Sequence, residues 1–159
     1  MSKPLKTFEY RSVYHNTSIE AMTRFHNAPN ALQVLTPPPL IIVQMLRDER
    51  VSLTQGEVVF RLWFGPLPVL WQARHEPGSM PTSFIDRMLN GPMASWEHEH
   101  IFRKVDQGVE LTDKIAYDHK AGWQGVLTRL VFDGLALRFL FWYRHWRTGR
   151  ALKSIPIDK

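Results

Sequence analysis

The chain has 159 residues, of which 44% are hydrophobic and 12% aromatic, which is enough for the core of one domain and excludes a mainly disordered chain. It has no cysteine, which excludes a disulfide framework, a zinc–thiolate site and a cysteine nucleophile. The net charge of +5 permits an anionic partner, but the cations crowd near the C-terminus, where they also complement a helix dipole.

The first 35 residues predict a strand and two short helices. Apolar and polar side chains alternate over Lys6–His15, which is typical of a half-buried strand. Residues 16–18 offer an N-cap for a helix that begins at Ile19. After a break at residues 26–30, residues 31–35 predict a second short helix, which the prolines at 37–39 end.

The middle of the chain predicts a series of strands separated by glycine, proline and Asp-Gln-Gly turns. Short turns favour antiparallel neighbours, so we expect a meander of about six strands that the first strand joins. The predicted strands cover residues 40–46, 50–53, 57–64, 69–76, 83–90, 95–105 and 109–117.

Residues 123–147 predict one long helix of roughly 35 Å. Such an apolar helix must pack on the concave face of the sheet, and a curved sheet around a helix leaves a gap that can hold a ligand. The fold class is therefore α+β. The apolar positions at helical spacing are Leu127, Leu130, Val131, Gly134, Leu137, Phe141 and Trp142.

We expect one domain over residues 1–150 and a loose tail over 151–159. The first 18 residues contain no apolar segment of the length that a signal peptide needs, which predicts a cytoplasmic location. Four charged residues interrupt the apolar segment 126–146, which argues against a transmembrane segment.

This order of elements resembles the START-like helix-grip (SRPBCC) superfamily, and most closely its small bacterial branch of polyketide cyclase/dehydrase-like ligand-binding proteins. The resemblance extends from Phe8 to about Arg147. It rests on Phe84 with Asp86, on residues 90–102, on Leu111, Thr112 and Asp113 with Tyr117, and on Phe141, Trp142, Tyr143 and Arg144.

The resemblance implies a curved antiparallel sheet of six to seven strands around a long C-terminal helix, with two short helices after the first strand. It also implies a hydrophobic cavity between sheet and helix for a lipid, a polyketide or an aromatic metabolite. Members of the superfamily include carriers and enzymes, and no complete catalytic set maps onto this sequence.

Polar residues interrupt the predicted inward faces of three adjacent strands. The period-two alternation places His98 and His100 on the aromatic face of one strand and Asp113 on the apolar face of the next. The resemblance favours the Phe84 side of the preceding strand, which turns Asp86 inward. The turns predict that Asp86 lies opposite His98 and that His100 lies opposite Asp113.

The long helix adds one charged candidate. On a helical wheel, Arg138 falls within the apolar arc and in line with His145. A buried arginine needs a carboxylate, so we expect Arg138 to pair with Asp113 or Asp86.

Four interpretations of these polar residues remain open. The Asp–His pairs can be cross-strand hydrogen bonds that only fix the register. They can form the polar end of a ligand cavity. They can act as general acid and base, with His98, His100, Asp86 and Asp113 as catalytic candidates. Two histidines at i and i+2 with an aspartate can also bind a metal ion, but we assign no metal site and expect no cofactor.

The function that the sequence favours is binding or transport of a hydrophobic small molecule. The alternatives are a cyclase or dehydratase that uses the Asp/His cluster, and an interaction module that uses its basic helix end, including transient contact with a membrane surface. No nucleic-acid partner is expected. The predicted cavity lining consists of Trp63, Trp71, Phe84, Met88, Trp96, His98, His100, Asp113, Tyr117, Leu130, Gly134, Arg138 and Phe141.

Overall fold

The computed structural model describes residues 4–155, which form seven β-strands and four α-helices. The strands are β1 (Lys6–His15), β2 (Ile42–Asp48), β3 (Gly56–Phe64), β4 (Leu67–Pro77), β5 (Ser83–Asn90), β6 (Ser95–Val105) and β7 (Gly108–Asp118). The helices are α1 (Ile19–Asn27), α2 (Ala31–Val34), α3 (Gly122–Phe132) and α4 (Gly134–Leu152).

The strands form one antiparallel sheet in the order β1-β7-β6-β5-β4-β3-β2. From β2 to β7 each strand pairs with the next one along the chain, whereas β1 pairs with β7 after α1 and α2 have intervened. The predicted meander is therefore confirmed, and β1 has the predicted bounds. Its exposed and partly buried side chains alternate, as expected for a strand with one face on the core.

The two short helices lie where the sequence predicts them. The Ser18 hydroxyl accepts a hydrogen bond of 3.1 Å from the Ala21 N–H and caps the N-terminus of α1. Met22 and Phe25 are buried on the inner face of α1. The second helix, α2, has only four residues and no side-chain cap at its N-terminus.

The strand expected at residues 50–53 is absent from the described structure. The Asp48 carboxylate accepts a hydrogen bond of 3.2 Å from the Arg50 backbone N–H, and it also receives two from the Arg50 guanidinium. This aspartate turn ends β2 and redirects the chain. Within 50–53 only Ser52 takes part in strand pairing, through an isolated bridge to Gln55.

The pairing of β5, β6 and β7 has the predicted register. Asp86 lies opposite His98, and His100 lies opposite Asp113. Phe84 is buried, which confirms the choice of its side of β5 as the inward one. Alternate residues of β6 and β7 face the core, as predicted, namely Trp96, His98, His100 and Phe102 on β6 and Val109, Leu111, Asp113, Ile115 and Tyr117 on β7.

The single long helix expected over residues 123–147 is in fact two helices. Asp133 is extended, with φ −147° and ψ 161°, and Gly134 follows with φ +52°. The Asp133 carboxylate accepts hydrogen bonds of 2.9 Å from the Tyr117 hydroxyl and the Gly134 N–H, and it forms an ion pair with Lys6. These contacts tie the junction to β1 and β7, and the left-handed conformation of Gly134 suits a residue without a Cβ.

The break changes which side of the helical segment meets the sheet. Leu127, Leu130 and Trp142, which were expected to face inward, are exposed by half or more. Arg138 is also exposed, so it does not pair with Asp113 or Asp86. The predicted positions Leu137 and Phe141 are buried, together with Phe132 and Leu140.

The C-terminal helix α4 runs to Leu152, which is buried and lies within the segment expected to be a loose tail. Residues 156–159 of that expected tail lie outside the described part of the chain. Within residues 4–155, no helix is long and apolar enough to span a bilayer.

Candidate functional site

The carboxylate of Asp113 lies at the centre of a buried polar cluster. Its Oδ1 accepts a hydrogen bond of 2.9 Å from His98 Nε2, and its Oδ2 accepts one of 2.7 Å from His145 Nε2. Asp113, His98 and His145 are all buried. The sheet supplies Asp113 and His98 from adjacent strands, and α4 supplies His145, so the cluster links the helix to the sheet.

His100 adds a third imidazole to this cluster. Its Nδ1 lies 2.8 Å from Asp113 Oδ1, but it makes no hydrogen bond of good geometry, so the contact is mainly electrostatic. The ring is stacked on Phe84, with 4.3 Å between centroids and 11° between planes, and lies 3.8 Å from the His98 ring. His100 is therefore held between an aromatic wall and Asp113.

The pKa values of Asp113, His98 and His100 are all lowered within this cluster. Burial opposes the ionisation of Asp113, but His100, His98 and the hydrogen bond from His145 hold the pKa of its carboxyl well below the usual range. Burial lowers the pKa of His98 and brings that of His100 to about 4, against the opposing effect of Asp113. Burial also lowers the pKa of the nearby His26 to about 3.

A small cavity lies beside His100, between the sheet and the helices. Its volume is about 60 Å³, room for about two water molecules at roughly 30 Å³ each. One wall is apolar and the other is polar. The lining residues are His26, Ala31, Leu32, Leu35, Met45, Arg50, Val58, Phe60, His75, Phe84, Asp86, His100 and Arg144.

Besides His100 Nδ1, two polar atoms of the cavity-lining residues lack hydrogen bonds. Asp86 Oδ1 and Arg144 Nε are buried and have no hydrogen-bond partner within the described residues. Burial lowers the pKa of the Arg144 guanidinium, against the opposing effect of Asp113 and Asp86. Since an unpaired buried polar atom costs about 1–3 kcal/mol, these two atoms favour a bound polar group.

The two histidines at the edge of the cavity each have one nitrogen engaged. His26 Nδ1 lies 2.9 Å from the Met22 carbonyl oxygen, and His75 Nδ1 lies 3.1 Å from that of Leu53. A carbonyl oxygen only accepts, so both rings donate from Nδ1. In the neutral ring, Nε2 is then an acceptor.

A larger hollow, of about 890 Å³, lies between β1 and α4. His145 and Trp142 are among its lining residues, whereas Asp86, His100 and Arg144 are not. We take the smaller cavity as the candidate site, because its lining residues include Asp86 and Arg144, whose buried polar atoms are unpaired.

The structure brings part of the predicted lining together. His98, His100 and Asp113 form the cluster, while Phe84 and His100 line the cavity beside Asp86. The expected hydrogen bond from His98 to Asp86 is not found, because His98 donates to Asp113. Four other residues of the predicted lining belong to the main hydrophobic core, and Met88 packs against that core. The four are Trp71, Trp96, Tyr117 and Phe141.

Four predicted lining residues lie elsewhere. Trp63 is on the outer face of β3, where its Nε1 donates a hydrogen bond of 3.0 Å to Gln44. Leu130 and Arg138 are exposed, and Gly134 is at the junction of α3 and α4. The helix break accounts for Leu130 and Gly134, whereas Arg138 is exposed near the N-terminal end of α4 although it lies on the same side of that helix as the buried His145.

The sequence analysis did not assign His26, His75, Arg144 or His145 to the site. The sequence feature that could have identified two of them is the adjacent pair Arg144 and His145 within a largely apolar helical segment. A charged residue there needs a buried partner, and the wheel of a single unbroken helix selected Arg138 instead.

Metal binding and the observed hydrogen bonds are alternatives at this cluster. The ligand atoms of His98, His100 and Asp113 lie within 4.8 Å of one another, a separation at which one ion can contact all three. A metal ion would need the lone pair of His98 Nε2, which in the present arrangement carries the hydrogen donated to Asp113.

No protein-family model matches the sequence, and no curated protein matches it either. Solved structures do match. A protein from Chromobacterium violaceum has a TM-score of 0.68 at 13% identity, over 94% of this chain and 98% of its own. Major latex-like protein 151 from Panax ginseng has a TM-score of 0.64 at 8% identity, over 97% and 100%.

The chain has the helix-grip fold. The Zhui aromatase/cyclase of a Streptomyces species also matches, with a TM-score of 0.59 at 14% identity over 93% of this chain and 91% of its own. At these identities the likeness establishes the helix-grip architecture and leaves the ligand and the chemistry to the residues of this chain. The predicted helix-grip fold is confirmed.

Proposed function

We propose that this helix-grip domain binds a hydrophobic small molecule whose hydroxyl group lies between Asp86 and Arg144. The fold is typical of hydrophobic ligand binding. The observation that carries the proposal is the pair of buried, unpaired atoms Asp86 Oδ1 and Arg144 Nε on the wall of one cavity. A hydroxyl group can donate to the carboxylate and accept from the guanidinium at the same time.

The remainder of the ligand would lie against the apolar wall of the cavity. That wall is formed by Ala31, Leu32 and Leu35 around α2, and by Met45 and Phe60 on the sheet. About 60 Å³ accommodates the polar group alone, so the ligand body needs α2 to move outward. A four-residue helix without a side-chain cap opposes such movement weakly.

We expect the domain to prefer naphthol over methylnaphthalene, which has the same shape without the hydroxyl, by at least about tenfold. The reason is that hydrogen bonds to charged groups contribute about 1.5–3 kcal/mol. The change Arg144→Gln should remove most of this preference, and Asp86→Asn should reduce it. Both affinities are measured by the fluorescence of the two probes.

The matched control is Arg138→Gln, which changes an exposed arginine on the same helix and should keep the preference. Equal affinities of the wild type for the two probes would contradict the proposal. Equal preferences in Arg144→Gln and Arg138→Gln would contradict it as well. Native mass spectrometry of the freshly purified protein, followed by solvent extraction, then identifies the natural ligand class.

A second candidate function is acid–base catalysis on the same class of molecule, as in a cyclase or dehydratase. It is favoured by His100, which lines the cavity while its Nδ1 contacts Asp113. With a pKa of about 4, His100 is neutral at neutral pH and can act as a proton acceptor, although a weak one.

To test catalysis, the molecule extracted from the wild type is incubated with wild type and with His100→Gln, and its mass is followed. Loss of one water molecule with the wild type alone is the expected result for a dehydratase. An unchanged mass and an unchanged chromatographic retention time with both proteins would exclude both dehydration and cyclisation of that molecule.

A further inference from the structure

Two exposed apolar stripes run along the outer sides of α3 and α4. Leu135 is 85% exposed, Trp123 is 71% exposed and Leu130 is 69% exposed. We define the α3–α4 outer face as the set of large apolar residues of these helices that are exposed by more than two fifths. They are Trp123, Val126, Leu127, Leu130, Leu135, Phe139, Trp142 and Trp146.

The spacing within each helix places these residues on one side. In α4, Leu135, Phe139, Trp142 and Trp146 follow the helical repeat, and the rings of Trp142 and Trp146 stack with 6.3 Å between centroids. At about 200 Å² for a full side chain, each stripe exposes roughly 450 Å². Each stripe is therefore as large as the largest apolar patch on a typical monomer, roughly 300–600 Å², and such patches are often functional.

The same segment carries all of the chain's excess positive charge. Residues 119–153 contain seven lysines and arginines against the single acidic residue Asp133, which is paired with Lys6. The segment therefore has a net charge of +6, and the rest of the chain has −1. Four of the seven cations have exposed side chains, namely Arg129, Arg138, Arg150 and Lys153.

Cations and aromatic rings are interleaved at the C-terminal end of α4. The guanidinium of Arg150 lies 5.3 Å from the centroid of the Trp146 ring, and that of Arg147 lies 6.0 Å from it. Such pairs place a positive charge directly beside an exposed apolar ring. A partner for this surface must accept apolar side chains and must carry negative charge.

We propose that the α3–α4 outer face docks onto an anionic lipid bilayer, with its apolar side chains among the lipid headgroups and its arginines on the phosphates. Helices with leucine and aromatic residues beside lysine and arginine bind in this way and lie in the interface. A negatively charged leaflet attracts each nearby cation.

Pairing with a second copy of this chain is a weaker alternative for the same surface. It would bring two segments of net charge +6 together, and like charges in an interface are repulsive. A bilayer instead offers both an apolar interior and anionic headgroups.

The test is co-sedimentation with phosphatidylcholine vesicles, with and without phosphatidylserine. The wild type should bind the vesicles that contain phosphatidylserine, and binding should weaken as salt is raised. Leu135→Ser should lower the partition coefficient about tenfold, because the apolar leucine side chain is no longer transferred from water to the bilayer. Arg138→Gln should lower it about fivefold.

The matched control is Leu67→Ser, which makes the same change at a leucine that is 63% exposed at the start of β4. It should leave vesicle binding unchanged, and both leucine variants should fold because neither side chain is buried. Equal binding to neutral vesicles, equal effects of the two leucine changes, or no binding would overturn the proposal. So would a stable dimer of the wild type that Leu135→Ser converts to a monomer.

Discussion

Replacing Asp113 with asparagine is expected to lower the free energy of unfolding by about 3–5 kcal/mol. The carboxylate accepts hydrogen bonds from His98 and His145 and lies against His100. An asparagine keeps the size but loses the charge, and its amide group turns a donor toward rings that already donate. The loss is measured by urea denaturation at neutral pH.

The matched control for this change is Asp106→Asn, at an exposed aspartate in the turn between β6 and β7. Its effect should stay within about 0.5 kcal/mol. A loss below about 1 kcal/mol for Asp113→Asn would mean that the cluster does not hold α4 on the sheet.

Acidification from pH 6.5 to pH 4 is expected to destabilise the domain through its buried histidines. The pKa of His100 is lowered from 6.5 to about 4, and that of His26 to about 3. At a pH between the pKa of the folded state and that of the unfolded state, the unfolded chain binds a proton that the folded chain does not. The free energy of unfolding therefore falls as the pH falls. For His100 the loss amounts to roughly 3 kcal/mol.

The contribution of Asp113 is lost at still lower pH. Its folded pKa lies well below the usual range, so the stability it provides is present above the unfolded pKa and disappears as the pH falls through the folded one. The histidine and aspartate effects are therefore separated along the pH axis.

The pH effect is tested by denaturation of wild type and His100→Gln at several pH values between 4 and 6.5. The variant should show the shallower dependence, since it lacks one of the groups that bind a proton only on unfolding. The comparison variant His15→Gln, which removes an exposed imidazole at the end of β1, should follow the wild type. Parallel curves for wild type and His100→Gln would contradict the assignment.

Alternation with a period of two was sufficient to predict the sheet side of the candidate site. It placed His98, His100 and Asp113 on inward faces, and the turn lengths gave the correct register of β6 with β7. The predicted partner of His98, Asp86, was wrong because the register identifies only the residue directly opposite on the neighbouring strand. The carboxylate that His98 contacts is diagonal to it, opposite His100.

The helix side of the site could not be predicted in the same way. The apolar pattern continues through Asp133 and Gly134, so local propensity favoured one helix, whereas contacts of Asp133 with Tyr117 and Lys6 on the sheet stabilise a break. Without the break, the wheel selects Arg138 as the inward cation. In the structure Arg144 lines the cavity and His145 contacts Asp113, whereas Arg138, seven residues earlier on the same side of α4 as His145, is exposed near the start of the helix.

The strand β1 has one edge that no neighbouring strand covers within the described residues. Its outward positions include Glu9 and Arg11, which form an ion pair of 2.8 Å, and Arg11 also lies 3.8 Å from Glu110 on β7. A strand from another molecule would have to fit its side chains beside these charges. The ionic pattern thus protects the free edge against extension of the sheet into aggregates.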